Sequence, residues 1–185
     1  MQSNPWFGDP NVMKRGLINQ VHNRVAQTAV GPSALRNQGG RYVVQRAREF
    51  LRRIDLSRFS VKTEAEFRRR LDKLTEALRS SLPRGARNWG TARKALNLFL
   101  RDAAYSFYLR EHYDLGRLEP WLEVPLDSLA AAGISRSHKA SAVPPWPGVK
   151  HLTPDVSNAY QAAASQIGES SGTNRVHLDL SWWRA

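Results

Sequence analysis

Apolar side chains recur along this chain mostly at helical spacing. Between residues 11 and 28 the apolar positions are Val12, Leu17, Ile18, Val21 and Val25, and Gly31-Pro32 stops the run. After a second break at Gly39-Gly40, residues 41–54 place Val43, Val44, Ala47, Phe50, Leu51 and Ile54 on one stripe. Arg41, Arg46, Arg48, Arg52 and Arg53 fall mostly off it, which predicts an amphipathic helix with a cationic outer face. Thr63-Glu64-Ala65-Glu66 has the form of a capping box and predicts a helix to about residue 82, with Phe67, Leu71, Leu74 and Leu78 inward and Arg68-Arg69-Arg70 on its solvated side.

A Pro/Gly-punctuated loop, 83–90, separates that helix from a long one expected over 91–113. There Leu96, Phe99, Leu100, Ala103 and Phe107 can line a buried stripe, and Lys94, Leu98, Arg101, Tyr105, Tyr108 and His112 lie on another side. Pro125 can start a short helix over 126–132 that Gly133 stops. The proline-rich stretch 135–150 reads as an ordered loop. Thr153-Pro154 reads as an N-cap followed by proline in the first turn of a helix to about 167. Residues 176–183 alternate like a strand, but a lone strand lacks a partner, so a short helix plugging the core is expected. The fold class is therefore all-α. At 185 residues the chain is expected to be one domain, 1–185, with an N-terminal arm (1–10) and C-terminal helices over 153–185.

Composition adds a partner class. The net charge is +12, and residues 1–110 hold 22 Lys/Arg against 8 Asp/Glu, whereas residues 111–185 hold 6 against 8. A basic, arginine-biased domain answers to a polyanion, and arginine suits bidentate phosphate contacts. The alternative is a soluble protein with a basic surface and no such partner. The absence of cysteine removes disulfides, iron–sulfur clusters and cysteine-ligated zinc, and fits a cytoplasmic, reducing location. No apolar run approaches a membrane span, residues 1–9 lack the apolar core of a signal peptide, and the five histidines have no metal-ligand spacing. No metal, cofactor or membrane is expected.

The candidate chemistry lies in residues 82–132. Leu82-Pro83-Arg84-Gly85, then Gly90 and a helix bearing Lys94, then Val124-Pro125-Leu126-Asp127, resembles the helix–hairpin–helix DNA glycosylase superfamily. It is nearest to the archaeal 8-oxoguanine glycosylase-like branch, in which the hairpin is degenerate and the Lys–Asp gap long; here the gap is 33 residues. The loop departs from the family's tight Gly-x-Gly turn. The resemblance implies a helical bundle with a cleft between two helical halves. It also implies a base-flipping enzyme that excises a modified base and leaves an abasic site, with lyase activity if a lysine attacks the sugar.

On that resemblance Asp127 stabilises positive charge developing on the deoxyribose, and Lys94 is the nucleophile. Burial and cations such as Arg93 are expected to favour the neutral amine. The expected DNA contacts are Arg84, Gly85, Arg87, Gly90 and Arg93; the expected stacking surfaces are Trp89, Tyr105, Trp121 and Trp146. The partner is double-stranded DNA carrying a modified base, bound by a monomer. The substrate candidates are an oxidised purine or a glucosylated phage cytosine, the latter implying antiviral defence. Plainer readings stand beside these. Lys94 can be one more surface cation, Asp127 can simply cap a helix, and the tryptophans can be core. A non-catalytic helical DNA-binding module would use the same basic face without needing either residue, and a basic scaffold for a membrane or protein partner has the least support.

Overall fold

The computed structural model describes residues 10–39, 42–137 and 142–182, and the side chains from Lys14 onward within them. Most of the expected N-terminal arm, as well as Gly40 and Trp183, lies outside the described residues. Among the described residues the protein is all-α, with no strand. Its helices are α1 (Pro10–Thr28), α2 (Val43–Leu51), α3 (Glu64–Ser81), α4 (Trp89–Tyr105), α5 (Phe107–Tyr113), α6 (Ser128–Arg136), α7 (Pro154–Ser170) and α8 (Leu178–Trp182). Short 3₁₀ turns join several of them, including Arg84–Ala86, Val149–His151 and Arg175–His177.

Helix α4 is the axis of the molecule. Every residue from Gly90 to Leu100 is buried, and the helix touches α1, α2, α3, α5 and the Val149–His151 turn. A helix buried all round belongs at the centre of a fold. One apolar cluster gathers α1 to α5 around it, through Ala26, Leu51, Phe67, Leu71, Leu96 and Phe99 among others. A second joins Val124 and Leu126 to α6, α7 and α8 through Ile134, Tyr160, Ala164 and Leu178. The capping box of α3 forms in full: Glu66 N–H donates to the Thr63 hydroxyl at 3.2 Å, and the Thr63 and Lys62 N–H groups donate to the Glu66 carboxylate. Thr153 caps α7 with Pro154 in its first turn.

Two helices differ from the expected pattern. The helix predicted over 91–113 breaks at Ser106, which is extended (φ −76°, ψ 112°) and ends α4 by donating its N–H to the Asp102 and Ala103 carbonyls. The break shifts the periodicity, so Leu109 is buried and Phe107, placed inward by the unbroken pattern, is 70% exposed. Helix α6 runs through Gly133 instead of stopping there. A Cβ at Gly133 would lie 2.5 Å from the ring of Trp182, so this glycine makes room for α8. Gly90 plays the same part in α4: a Cβ there would lie 2.1 Å from the carbonyl oxygen of Val149.

The two kinds of helical glycine predict opposite effects. Gly90→Ala forces α4 and the Val149–His151 turn apart and is expected to cost about 1–3 kcal/mol. Gly16→Ala, where nothing lies within 4 Å, is expected to stabilise α1 by roughly 0.5–1 kcal/mol. Urea unfolding of the two variants checks both signs.

Candidate functional site

After a 3₁₀ turn at Leu115–Leu118, residues 122–126 cross the core toward α6 without regular structure. Residues 122–126 are buried, so their backbone groups need partners that no neighbouring strand supplies. Side chains supply several of them. Arg175 donates to the Trp121 carbonyl at 2.8 Å and to the Leu122 carbonyl at 2.9 Å. Gln161 of α7 holds Val124 at both ends, accepting its N–H at 3.0 Å and donating to its carbonyl at 2.8 Å. Between them the Glu123 carboxylate, 3% exposed, receives both Nε and Nη2 of Arg93 at 2.8 and 2.7 Å and Asn97 Nδ2 at 2.9 Å. The remaining arm of Arg93 donates to Asp72 at 2.8 Å and Thr75 at 3.0 Å on α3.

Burial alone would push the Glu123 carboxyl up. The Arg93 charge and the hydrogen bonds from Arg93 and Asn97 together outweigh burial and hold the carboxyl below the ordinary range. Burial likewise opposes the charge on Arg93, but Glu123 and Asp72 raise its pKa.

This anchoring places the next residues. Lys94 follows Arg93 on α4, and Asp127 lies four residues beyond Glu123. Lys94 Nζ is 3.3 Å from Asp127 Oδ2, and Lys94 is only 8% exposed, so it is not a surface cation. Asp127 has a second duty: Oδ1 accepts the N–H groups of Leu129 and Ala130, both at 3.0 Å, capping α6. Its carboxylate is thereby fixed in direction with one oxygen turned to the amine.

The pair lies in the wall of a hollow of about 1200 Å³. The hollow is lined by the end of α1 and the following loop, by Lys94, Leu98, Arg101 and Asp102 of α4, by Asp127 and the start of α6, by Trp146, and by Asp179 and Trp182 of α8. Arg101 is paired with Asp102 and Asp179. The second oxygen of Asp179, Oδ1, is buried with no hydrogen-bond partner. Burial pushes this carboxyl up against the pull of Arg101, and the charge of Asp127 adds to the rise. No group of metal-ligating side chains occurs among the described residues, and no helix among them is long and apolar enough to cross a membrane.

The other expected site residues are distributed differently. Trp146 lines the hollow, its ring edge-to-face with Tyr160 at 5.4 Å. Trp89 packs instead under the Arg93 guanidinium, 5.1 Å from it. Trp121 packs on Phe67 at 6.3 Å. Tyr105 stacks on His177 and is hydrogen-bonded to its Nδ1 at 2.7 Å; burial and Asp179 push its phenol up to about 12. None of these three lines the hollow.

Of the expected phosphate contacts, Arg84 and Arg87 are exposed, with Arg87 Nε donating to the Leu82 carbonyl at 2.8 Å. Gly85 is exposed but has the Gly39 backbone on one side. Gly90 is sealed by the Val149–His151 turn. Arg93 is 4% exposed and spent on Glu123 and Asp72, so it is neither a phosphate contact nor an uncompensated cation beside Lys94. Three residues join the site that the motif pattern left out: Arg101, Asp179 and Trp182. Arg101, seven residues after Lys94 and on the same helix face, had a legible signal in helical spacing. Asp179 reaches the site only by tertiary folding and had none.

No protein-family model matches this chain, and neither a curated protein nor a solved structure matches it.

Removing the acid of the buried cluster tests its role. Glu123→Ala leaves Arg93 facing a vacated, buried position and is expected to cost about 3–5 kcal/mol. The pH dependence has a definite sign. Because the folded Glu123 titrates below its ordinary value of 4.5, its contribution is present above that value and is lost as pH falls through the lowered one. Glu123→Gln should therefore show a shallower decline in unfolding free energy between neutral and acid pH than the wild type.

Proposed function

We propose that this chain is a DNA glycosylase of the helix–hairpin–helix kind, which extrudes a modified base from double-stranded DNA into the hollow and releases it. The observation that carries this reading is the buried Lys94 amine set 3.3 Å from a directionally fixed Asp127 carboxylate at the wall of a hollow large enough for a base. Three further features support it: the all-α architecture, the turn through Pro83 and Gly85 that links α3 to α4, and the excess of arginine in residues 1–110.

In this reading the N-glycosidic bond breaks with its electron pair leaving on the base. Positive charge grows at C1′ and the ring oxygen, and the Asp127 oxygen facing Lys94 stabilises it. The Lys94 amine forms the new bond to C1′, and Asp127 accepts the proton it sheds. Opening of the sugar ring then gives a Schiff base, from which strand cleavage can follow. Trp146 and Trp182 line the hollow and supply aromatic surface for the extruded base. The hollow exceeds the roughly 300–1000 Å³ of ordinary small-molecule pockets, which leaves space for a base carrying an appended sugar as well as for an oxidised purine.

A second reading has one observation of its own. Asp127 caps α6 and Lys94 neutralises it, so the pair also makes sense as a structural feature of a non-catalytic DNA-binding module.

The experiment is incubation with duplexes carrying oxidised or glucosylated bases, mass analysis of the bases released, and borohydride trapping of the protein–DNA adduct. Wild type is expected to release a base and to be trapped. Lys94→Ala should abolish the adduct, and Asp127→Asn should slow base release about 10²–10³-fold while binding persists. Variants indistinguishable from wild type would favour the binding module.

A further inference from the structure

The basic charge of residues 1–110 is not uniformly available. Within that range Arg46, Arg58, Arg68, Arg79, Arg93, Arg101 and Arg110 each sit within 4.0 Å of a carboxylate. Arg48 and Arg52, one turn apart on the α2 side, are held differently. Arg48 Nε donates to the Val30 carbonyl and Arg52 Nη2 to the Gln27 side-chain oxygen, both at 2.9 Å. Both acceptors are neutral, and no ion pair to either guanidinium occurs among the described residues, so each is oriented by a hydrogen bond with further N–H groups to give. Holding the side chains in advance lowers the ordering cost of binding an anion.

Both arginines line one concavity of about 360 Å³, together with Gln27 and the start of α2, and none of its lining residues is acidic. The acid on α2, Glu49, is occupied by Gln45 and Arg46. The concavity also has a defined place relative to the hollow. Gln27 lines the one and Thr28, the next residue, lines the other, so the end of α1 separates them.

We propose that Arg48 and Arg52 form a phosphate notch that grips the backbone of the DNA strand whose base enters the hollow. The proposal rests on the DNA reading above and adds to it a grip on the α2 side, remote in sequence from the turn that carries Arg84 and Arg87. Two guanidiniums one helical turn apart match the oxygens of a phosphodiester through parallel N–H donation. Their position across the end of α1 lets one strand run past the mouth of the hollow.

The test is the salt dependence of binding to a fluorescent duplex with an uncleavable abasic analogue, using the full chain. Removing one phosphate-neutralising charge should lower the slope of log affinity against log salt by about 1. Arg52→Gln is expected to lower the slope by about that amount, and Arg52→Lys to restore it. Arg69→Gln, an equal change of charge on the exposed side of α3, should leave the slope near wild type. Equal effects of Arg52→Gln and Arg69→Gln, or no effect of Arg52→Gln while wild type binds, would overturn the notch and leave the DNA reading standing. Failure of the wild type to bind any duplex would remove both.

A measurement on the unaltered protein covers the case of a variant that does not fold. Inorganic phosphate should shift the Nε–H resonances of Arg48 and Arg52 saturably, and unchanged resonances would count against the notch.

Discussion

A carboxylate cannot stay ionised inside a helical core unless the surroundings replace the water it has lost. Glu123 is in that position, and its replacement for water is Arg93 and Asn97 from the central helix. Such a pair adds little net stability, because burying both charges costs about what their attraction returns. What it supplies is register. Arg93 and Glu123 can meet in one alignment of α4 against the irregular segment, and that alignment sets Lys94 against Asp127. Gln161 and Arg175 fix the same segment from its other sides, through the backbone of Val124 and of Trp121 and Leu122. The candidate site is therefore built on a peptide whose hydrogen bonds are made largely by side chains, each from a different part of the fold.

Local signals in the sequence were legible where one element decided the outcome. The capping box at Thr63, the N-cap at Thr153 and the apolar stripes of α2 and α3 depend on residues three or four apart, and they stand in the structure as the pattern predicts. The break at Ser106 was not legible, since the periodicity on either side is compatible with one helix and only the shift of Leu109 inward reveals two. Gly133 misleads for a related reason. Glycine ends helices often, but here it accommodates Trp182 from a distant part of the chain. Arg93 shows the limit most clearly. Next to Lys94 in a basic chain it resembles a DNA contact, and nothing local says that Glu123 and Asp72 will consume its charge.

The pairing of Lys94 with Asp127 unites two readings of the same residues. As an N-cap, Asp127 needs one oxygen, and as a partner of Lys94 it uses the other. A helix start is thus a means of aiming a carboxylate, with the backbone N–H groups of α6 fixing its plane. Around this pair the hollow is lined by the paired charges of Arg101 and Asp179 and by two indole side chains, Trp146 and Trp182.

If the proposed chemistry holds, the amine and the carboxylate converge on the sugar of an extruded nucleotide. A crystal structure of the Lys94→Gln variant bound to duplex DNA with an abasic-site analogue would show this without intermediate steps. C1′ of the analogue is expected between the side chain at position 94 and Asp127, with the hollow beyond it. DNA bound on another face of the molecule, or a duplex left undistorted across the mouth of the hollow, would refute the convergence.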